Sequence, residues 1–130
     1  IKRVWVDESK EVRKGLDPSD TRKISRALEK NWVITFPQGT TTAFVPGRKG
    51  TAFIVKHHKP IVVPVVIDGF NKAFDKKGLK KKKKGTRLSV TFKDPMEINY
   101  DEPTEKILEQ IMDAIEQSKK FKPLENQTAL

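Results

Sequence analysis

The chain has no cysteine among its 130 residues. Disulfides, thiolate zinc sites and cysteine nucleophiles are therefore excluded, while the compartment stays undecided; a reducing cytoplasm is merely compatible. No apolar run approaches the roughly 20 residues needed to span a bilayer as a helix. There is no secretory leader pattern and no initiating Met: Ile1 opens directly into the strand-like IKRVWV, so the chain reads as a fragment. The only histidines are His57 and His58, and five residues on stand Val62 and Val63, not acids. Placed between a helix and a strand, they read as surface histidines without an acid partner. Acidic residues are nearly missing from one stretch. Gly69 to Lys93 holds ten Lys and Arg against Asp75 alone, whereas the other 105 residues hold 17 basic and 16 acidic groups. The net charge of +10 is thus one local feature. It would attract an anionic partner: phospholipid head groups, nucleic acid or an acidic protein.

The length suits one domain, residues 1–122, with a loose polar tail at 123–130. Ile1 to Val6 alternates weakly as a strand. Asp17-Pro18 is a cap followed by a first-turn proline, opening a helix to about Lys30 with Ile24, Ala27 and Leu28 on one face. Trp32 to Phe36 (WVITF) and Ile61 to Ile67 (IVVPVVI) are continuous apolar runs, expected as strands buried on both sides, although Pro64 removes a ladder donor. Between them, Arg48 to about His58 reads as a helix with Ala52, Phe53 and the Lys56 stem inward. Residues 69–87 form a basic loop. Thr86 to Lys93 alternates through Leu88, Val90 and Phe92 as a half-buried strand. A last helix opens at Pro103, with Ile107, Leu108, Ile111, Met112 and Ile115 as its apolar stripe. Its polar face is acidic, which favours packing on the core over lying on anionic lipid. The expected fold is α/β, a mixed, mostly parallel sheet flanked by helices and truncated at its N-terminus.

WVITF ends in a tight, hydroxyl-rich turn, Phe36-Pro37-Gln38-Gly39-Thr40-Thr41-Thr42. In parallel sheets, ligand sites gather beyond the carboxyl ends of strands, where this turn would sit. The turn resembles the F-P-E-G-T-R-S block of the glycerolipid acyltransferases, the lysophosphatidate acyltransferase family. Three further segments stand in that family's order: Val4-Trp5-Val6-Asp7, Phe44 to Ala52 (FVPGRKGTA), and Ile61-Val62-Val63-Pro64-Val65 with its internal proline. The resemblance spans about residues 1–70. It implies O-acyl transfer from acyl-CoA or acyl carrier protein to a lysolipid hydroxyl, most simply that of 1-acylglycerol-3-phosphate, in phospholipid synthesis. It implies no bound cofactor and no metal, and a peripheral place on the inner, cytoplasmic face of the membrane.

The departures from the family pattern are informative. The family's first block, H-x-x-x-x-D, supplies the general base and the residue that orients it. It does not occur in this sequence, so no catalytic residue is assigned here and the chain alone is expected to be inactive. Where the family has Glu and Arg in the turn, this chain has Gln38 and Thr41; where the preceding block has Arg, it has Glu8. Gln38 can orient a hydroxyl but carries no charge, and Thr41 cannot pair bidentately with phosphate. The substrate-binding set is accordingly Phe36, Pro37, Gln38, Gly39, Thr40 and Thr41, with Arg48 and then Lys49 replacing the missing cation. Arg48 and Lys49 stand where a helix begins, a position suited to an anion. An acceptor without phosphate, such as a lyso amino-acid lipid, is the alternative, and a basic binding module that has lost the chemistry is another. Lys80, Lys81, Lys82, Lys83 and Lys84 are expected to dock on anionic membrane, with Phe70 and Phe74 flanking them. An acidic carrier protein and a solvated loop tip are the other readings. Nucleic acid is disfavoured, because no aromatic is interleaved from Lys76 to Gly85.

Overall fold

The computed structural model describes residues 18–75, 80–82 and 84–124. The first strand expectation (Ile1 to Val6), the Asp17 cap and most of the polar tail lie outside them. Helix α1 spans Pro18–Lys30. Its inward side is Asp20, Ile24 and Ala27, all buried, spaced so that each falls near the same line along the helix. An acid in the first turn and a lysine in the last match the helix dipole.

Helix α2 spans Lys49–His58 and ends on Lys59, whose left-handed φ of 49° lets its N–H reach the Val55 carbonyl. Pro60 then bars a further turn. Ala52 and Val55 face inward, but Phe53, expected inside, is 52% exposed. It sits about 100° round the helix from Ala52 and stacks on His57 instead, ring centroids 6.0 Å apart. The Lys56 stem does cross the interface, and its ammonium donates to the Glu102 carbonyl at 2.8 Å.

Helix α4, Thr104–Ala114, packs against α2. Its buried Ile107, Ile111 and Met112 follow the predicted stripe. Ala52, Val55, Ile107 and Ile111 form the core, with Val62, Met96, Ile98, Tyr100 and Leu108 packed around them. The Tyr100 hydroxyl donates to the Pro60 carbonyl at 2.7 Å, fixing the 96–100 segment to the exit of α2.

Strands β1 (Val65–Asp68) and β2 (Ser89–Phe92) pair antiparallel, with Val65 opposite Phe92 and Ile67 opposite Val90. Between them lies the short helix α3, Phe70–Ala73. The fold is mixed α and β, and its described sheet has two antiparallel strands. The segment between them folds back on itself, with Lys82 N–H on the Ala73 carbonyl and Asp75 N–H on the Lys80 carbonyl, and returns the chain beside β1 in the antiparallel sense. Pro64 is accommodated because β1 begins after it and only its carbonyl is used, accepting from Lys93 at 3.0 Å. The Met96 N–H then donates to Val62 at 2.8 Å. Three residues of advance after β2 thus answer two before β1, a bulge at Asp94 and Pro95, where Pro95 has no N–H to give.

The two apolar runs are not buried on both sides. Trp32 is 84% exposed, Ile34 74%, Phe36 69% and Ile61 83%, and in β2, expected to be half-buried, Phe92 is 73% exposed. Trp32 to Phe36 is assigned to no helix or strand. Burial on both faces requires a layer on each, and among the described residues helices α2 and α4 supply at most one. Residues 69–87 are likewise more than a loop, since they include α3 and an isolated bridge between Phe74 and Lys81.

Candidate functional site

The turn after WVITF is closed by main-chain bonds. Gly39 N–H donates to the Phe36 carbonyl at 2.9 Å, and Arg48 N–H donates to the Pro37 carbonyl at 2.8 Å. The second bond brings the start of α2 back onto the turn across the intervening loop. Pro37 is buried, whereas Phe36, Gly39, Thr40 and Thr41 are exposed. Gly39 adopts φ 61°, in the region that costs other residues about 1 kcal/mol or more. A Cβ there would also stand 2.7 Å from Arg48 Cζ and 2.9 Å from its Nε. The guanidinium therefore lies directly against the Gly39 backbone, and a Cβ there would push it aside. It makes no hydrogen bond or ion pair among the described residues. Lys49 is placed otherwise: its ammonium is 3.0 Å from the Glu105 carboxylate on α4. That carboxyl is held below its ordinary range first by its own backbone N–H and then by Lys49. Of the two cations proposed for the turn, Arg48 faces it and Lys49 is committed elsewhere.

The hydroxyls divide similarly. Thr40 Oγ1 accepts from the Thr42 N–H at 3.2 Å and lies 3.4 Å from the Thr42 hydroxyl, so it shapes the loop. Thr41 is exposed with no such bond among the described residues. Gln38 donates through Nε2 to the Val45 carbonyl at 3.0 Å and to Gln117 Oε1 at 3.3 Å. Gln117 Oε1 also accepts from the Phe44 N–H at 3.0 Å. No sequence signal pointed to Gln117, which stands 79 residues beyond Gln38 in a polar stretch after the last helix.

No protein family, curated protein or solved structure matches this chain. The likeness to the glycerolipid acyltransferases therefore rests on the sequence blocks quoted above, and the turn's geometry has to be judged by its own chemistry.

The histidines are remote from the turn. They end α2, whereas Arg48 precedes it, a separation of about 14 Å along the axis. His57 is exposed, as expected of a surface residue, but His58 is half-buried, its ring edge-on to His57 at 4.8 Å and its Nε2 enclosed without a partner among the described residues. Among the described residues, no group of three His, Cys, Asp or Glu gathers to hold a metal, and no helix is long and apolar enough to cross a membrane.

The basic segment forms a braced excursion from the sheet. Lys82 N–H donates to the Ala73 carbonyl at 2.7 Å and Asp75 N–H to the Lys80 carbonyl at 2.9 Å. Asp75, the segment's one acid, accepts from the Lys80 N–H at 3.2 Å. Lys80, Lys81, Lys82 and Lys84 are exposed; Lys83 lies outside the described residues. At the base, the Phe70 and Phe74 rings stack with centroids 6.3 Å apart, Phe70 being the more exposed.

Proposed function

We propose that this chain is the acceptor-binding and membrane-docking part of an acyltransferase. The intact enzyme moves a fatty acyl group from acyl-CoA or acyl carrier protein to the hydroxyl of a lysolipid, lysophosphatidate first among them. The acceptor oxygen attacks the thioester carbonyl, the thiolate leaves, and the hydroxyl proton goes to a base that this chain does not carry. One observation supports the reading above the others: the Arg48 guanidinium lies on Gly39 of the turn, free of partners among the described residues. A planar cation there restores by another route the charge that Thr41 lacks, with the fork geometry suited to phosphate. The larger parallel sheet that this reading requires would take up Trp32 to Phe36, which is bare and assigned to no strand in the described structure.

The test is acyl transfer by the full-length protein, offered an acyl thioester with lysophosphatidate or with a phosphate-free lysolipid. Preference for lysophosphatidate is expected. Arg48→Ala should raise KM for it about 10- to 100-fold, the worth of charge-assisted hydrogen bonds, while leaving the neutral lipid unaffected. An unchanged KM removes Arg48 from the site. Preference for the neutral lipid would mark Gln38 and Thr41 as signs of a changed acceptor. Transfer to neither would favour the non-catalytic binding module.

The exposed lysines support docking at the inner face of a membrane, where such acceptors reside. Each contributes about 1 kcal/mol near an anionic surface. Replacing Lys80 to Lys84 by Gln should weaken sedimentation with phosphatidylserine vesicles about 100-fold or more at low salt. Equal binding by wild type and variant would show that the segment is only solvated.

A further inference from the structure

We infer that Gln117 is a positioning residue for the turn: it fixes the Gln38 carboxamide so that its carbonyl oxygen remains for the free hydroxyl of the acceptor lipid. The inference rests on the reading of the turn as the acceptor site, and its test separates the two.

The main chain determines both amide orientations. Val45 offers a carbonyl to Gln38, so the group facing it must be Nε2. Reversal would oppose two acceptors at 3.0 Å. Phe44 offers an N–H to Gln117, so the group facing it must be Oε1. The two side chains then meet as donor and acceptor, Gln38 Nε2 to Gln117 Oε1 at 3.3 Å. The run Phe44 N–H, Gln117 oxygen, Gln38 amide, Val45 carbonyl is self-consistent in one direction only. Gln38 Oε1 makes no hydrogen bond among the described residues. As an acceptor it would repel a phosphate oxygen and receive an O–H. It therefore divides the acceptor lipid, phosphate to Arg48 and hydroxyl to Gln38. The hydroxyl hydrogen rotates about its C–O bond, so an oxygen held this way can still release its proton to a base.

The backbone at both anchors of the contact is unusual. Phe44 and Glu116 are non-glycine residues with φ 59°. Glu116 stands where helices commonly place glycine. Its N–H reaches Asp113 at 3.0 Å, and the Gln117 N–H reaches Met112 at 2.9 Å, a Schellman ending of α4 that launches Gln117 toward the turn. Lys120 braces the same ending through Asp113 at 2.8 Å. Lys120 holds that carboxyl below its usual range. The donor of the bond, Phe44, and the residue just before its acceptor, Glu116, are both left-handed, at about 1 kcal/mol each, so the surrounding structure holds both ends of the contact in place.

The Gln117 side chain accepts twice and donates nothing among the described residues. Gln117→Glu should therefore keep both bonds, and Gln117→Leu should lose them. The experiment uses the 130-residue chain, a six-carbon lysophosphatidate, and its analogue lacking the free hydroxyl. Calorimetry should give wild type and Gln117→Glu a preference of about 5- to 10-fold for the hydroxyl-bearing lipid. Gln117→Leu should reduce that ratio to about 1 while retaining the contribution of Arg48. In the nuclear magnetic resonance spectrum, the Gln38 side-chain amide protons should exchange slowly and show a cross-peak to the Phe44 N–H. Both features should survive in Gln117→Glu and vanish in Gln117→Leu. A ratio that persists in Gln117→Leu overturns the inference, as does fast exchange of the Gln38 amide in wild type. Binding of neither lipid by a chain whose Gln38 amide is held overturns the acceptor-site reading and supports the orientation of Gln38.

Discussion

Gly69→Ala is expected to destabilise the fold by about 3 kcal/mol or more, lowering the thermal midpoint by about 10 °C or more. Gly69 joins β1 to α3 with φ 87°. A Cβ there would stand 2.1 Å from the Arg87 carbonyl oxygen and 3.1 Å from its carbon. Those are backbone atoms at the approach to β2, and they cannot swing aside as the end of a side chain can. The Gly69 carbonyl also starts α3, accepting from the Lys72 and Ala73 N–H groups, so displacing it disturbs the base of the basic excursion as well. Gly85→Ala is the control. That residue has φ 72° but nothing within 4 Å of its would-be Cβ, so only the cost of the conformation, about 1 kcal/mol, should appear. Thermal unfolding followed by circular dichroism compares the two. Equal losses would mean that Arg87 yields, and that the strand approach is less rigid than its geometry implies.

Gln38→Glu is expected to cost about 1–3 kcal/mol at neutral pH, even though it restores the residue of the acyltransferase pattern. A carboxylate donates nothing, yet Val45 O and Gln117 Oε1 both require a donor. Gln117 could turn its amide to supply one, but it would then forsake the Phe44 N–H. Facing two acceptors raises the pKa of the introduced carboxyl above its unfolded value of about 4.3. The unfolded chain thus gives up its proton at lower pH than the folded one. The penalty should be full at pH 7 and shrink as the pH falls through the folded pKa, because a protonated carboxyl can donate once. Urea midpoints at pH 7 and pH 4, each as variant minus wild type, measure this. No penalty at pH 7 would indicate that Arg48 has moved to pair with the new carboxylate, and with it that the guanidinium is not fixed on Gly39.

Much of the local structure was legible in the sequence, and the reasons are local. The Pro18 start, the spacing of Ile24 and Ala27, and the stripe from Ile107 to Met112 are properties of a few neighbouring residues, and the three longer helices stand where those patterns put them. The strands were less legible. WVITF and IVVPVVI are apolar enough to be buried on both faces, but hydrophobicity states what a segment would bury, not whether a layer is present to bury it. Phe53 misled for a related reason: within α2 a two-residue window cannot tell which side meets α4, and the Ala52–Val55 line won. The closeness of Arg48 to the turn was legible because both lie within one short segment. The different fate of Lys49 was not, because it depends on Glu105 across the helix pair. Gln117 was invisible altogether. Its place at the turn is created by the way α4 ends, and a glutamine in a polar stretch has no pattern of its own.

The bulge at Asp94 and Pro95 has a consequence for how one chain segment serves two surfaces. Val90 and Phe92 are on the open side of the hairpin, yet Met96, Ile98 and Tyr100, which share their even parity, pack on the core. A regular strand cannot do this, since side chains two apart always share a face. The extra residue acts as a phase shifter. It inverts the alternation at one point, so that an unbroken even-numbered series changes sides and fills the helix layer without the chain having to turn round. The same segment can therefore remain committed to the α2–α4 core at one end while leaving its other end open to whatever covers the sheet.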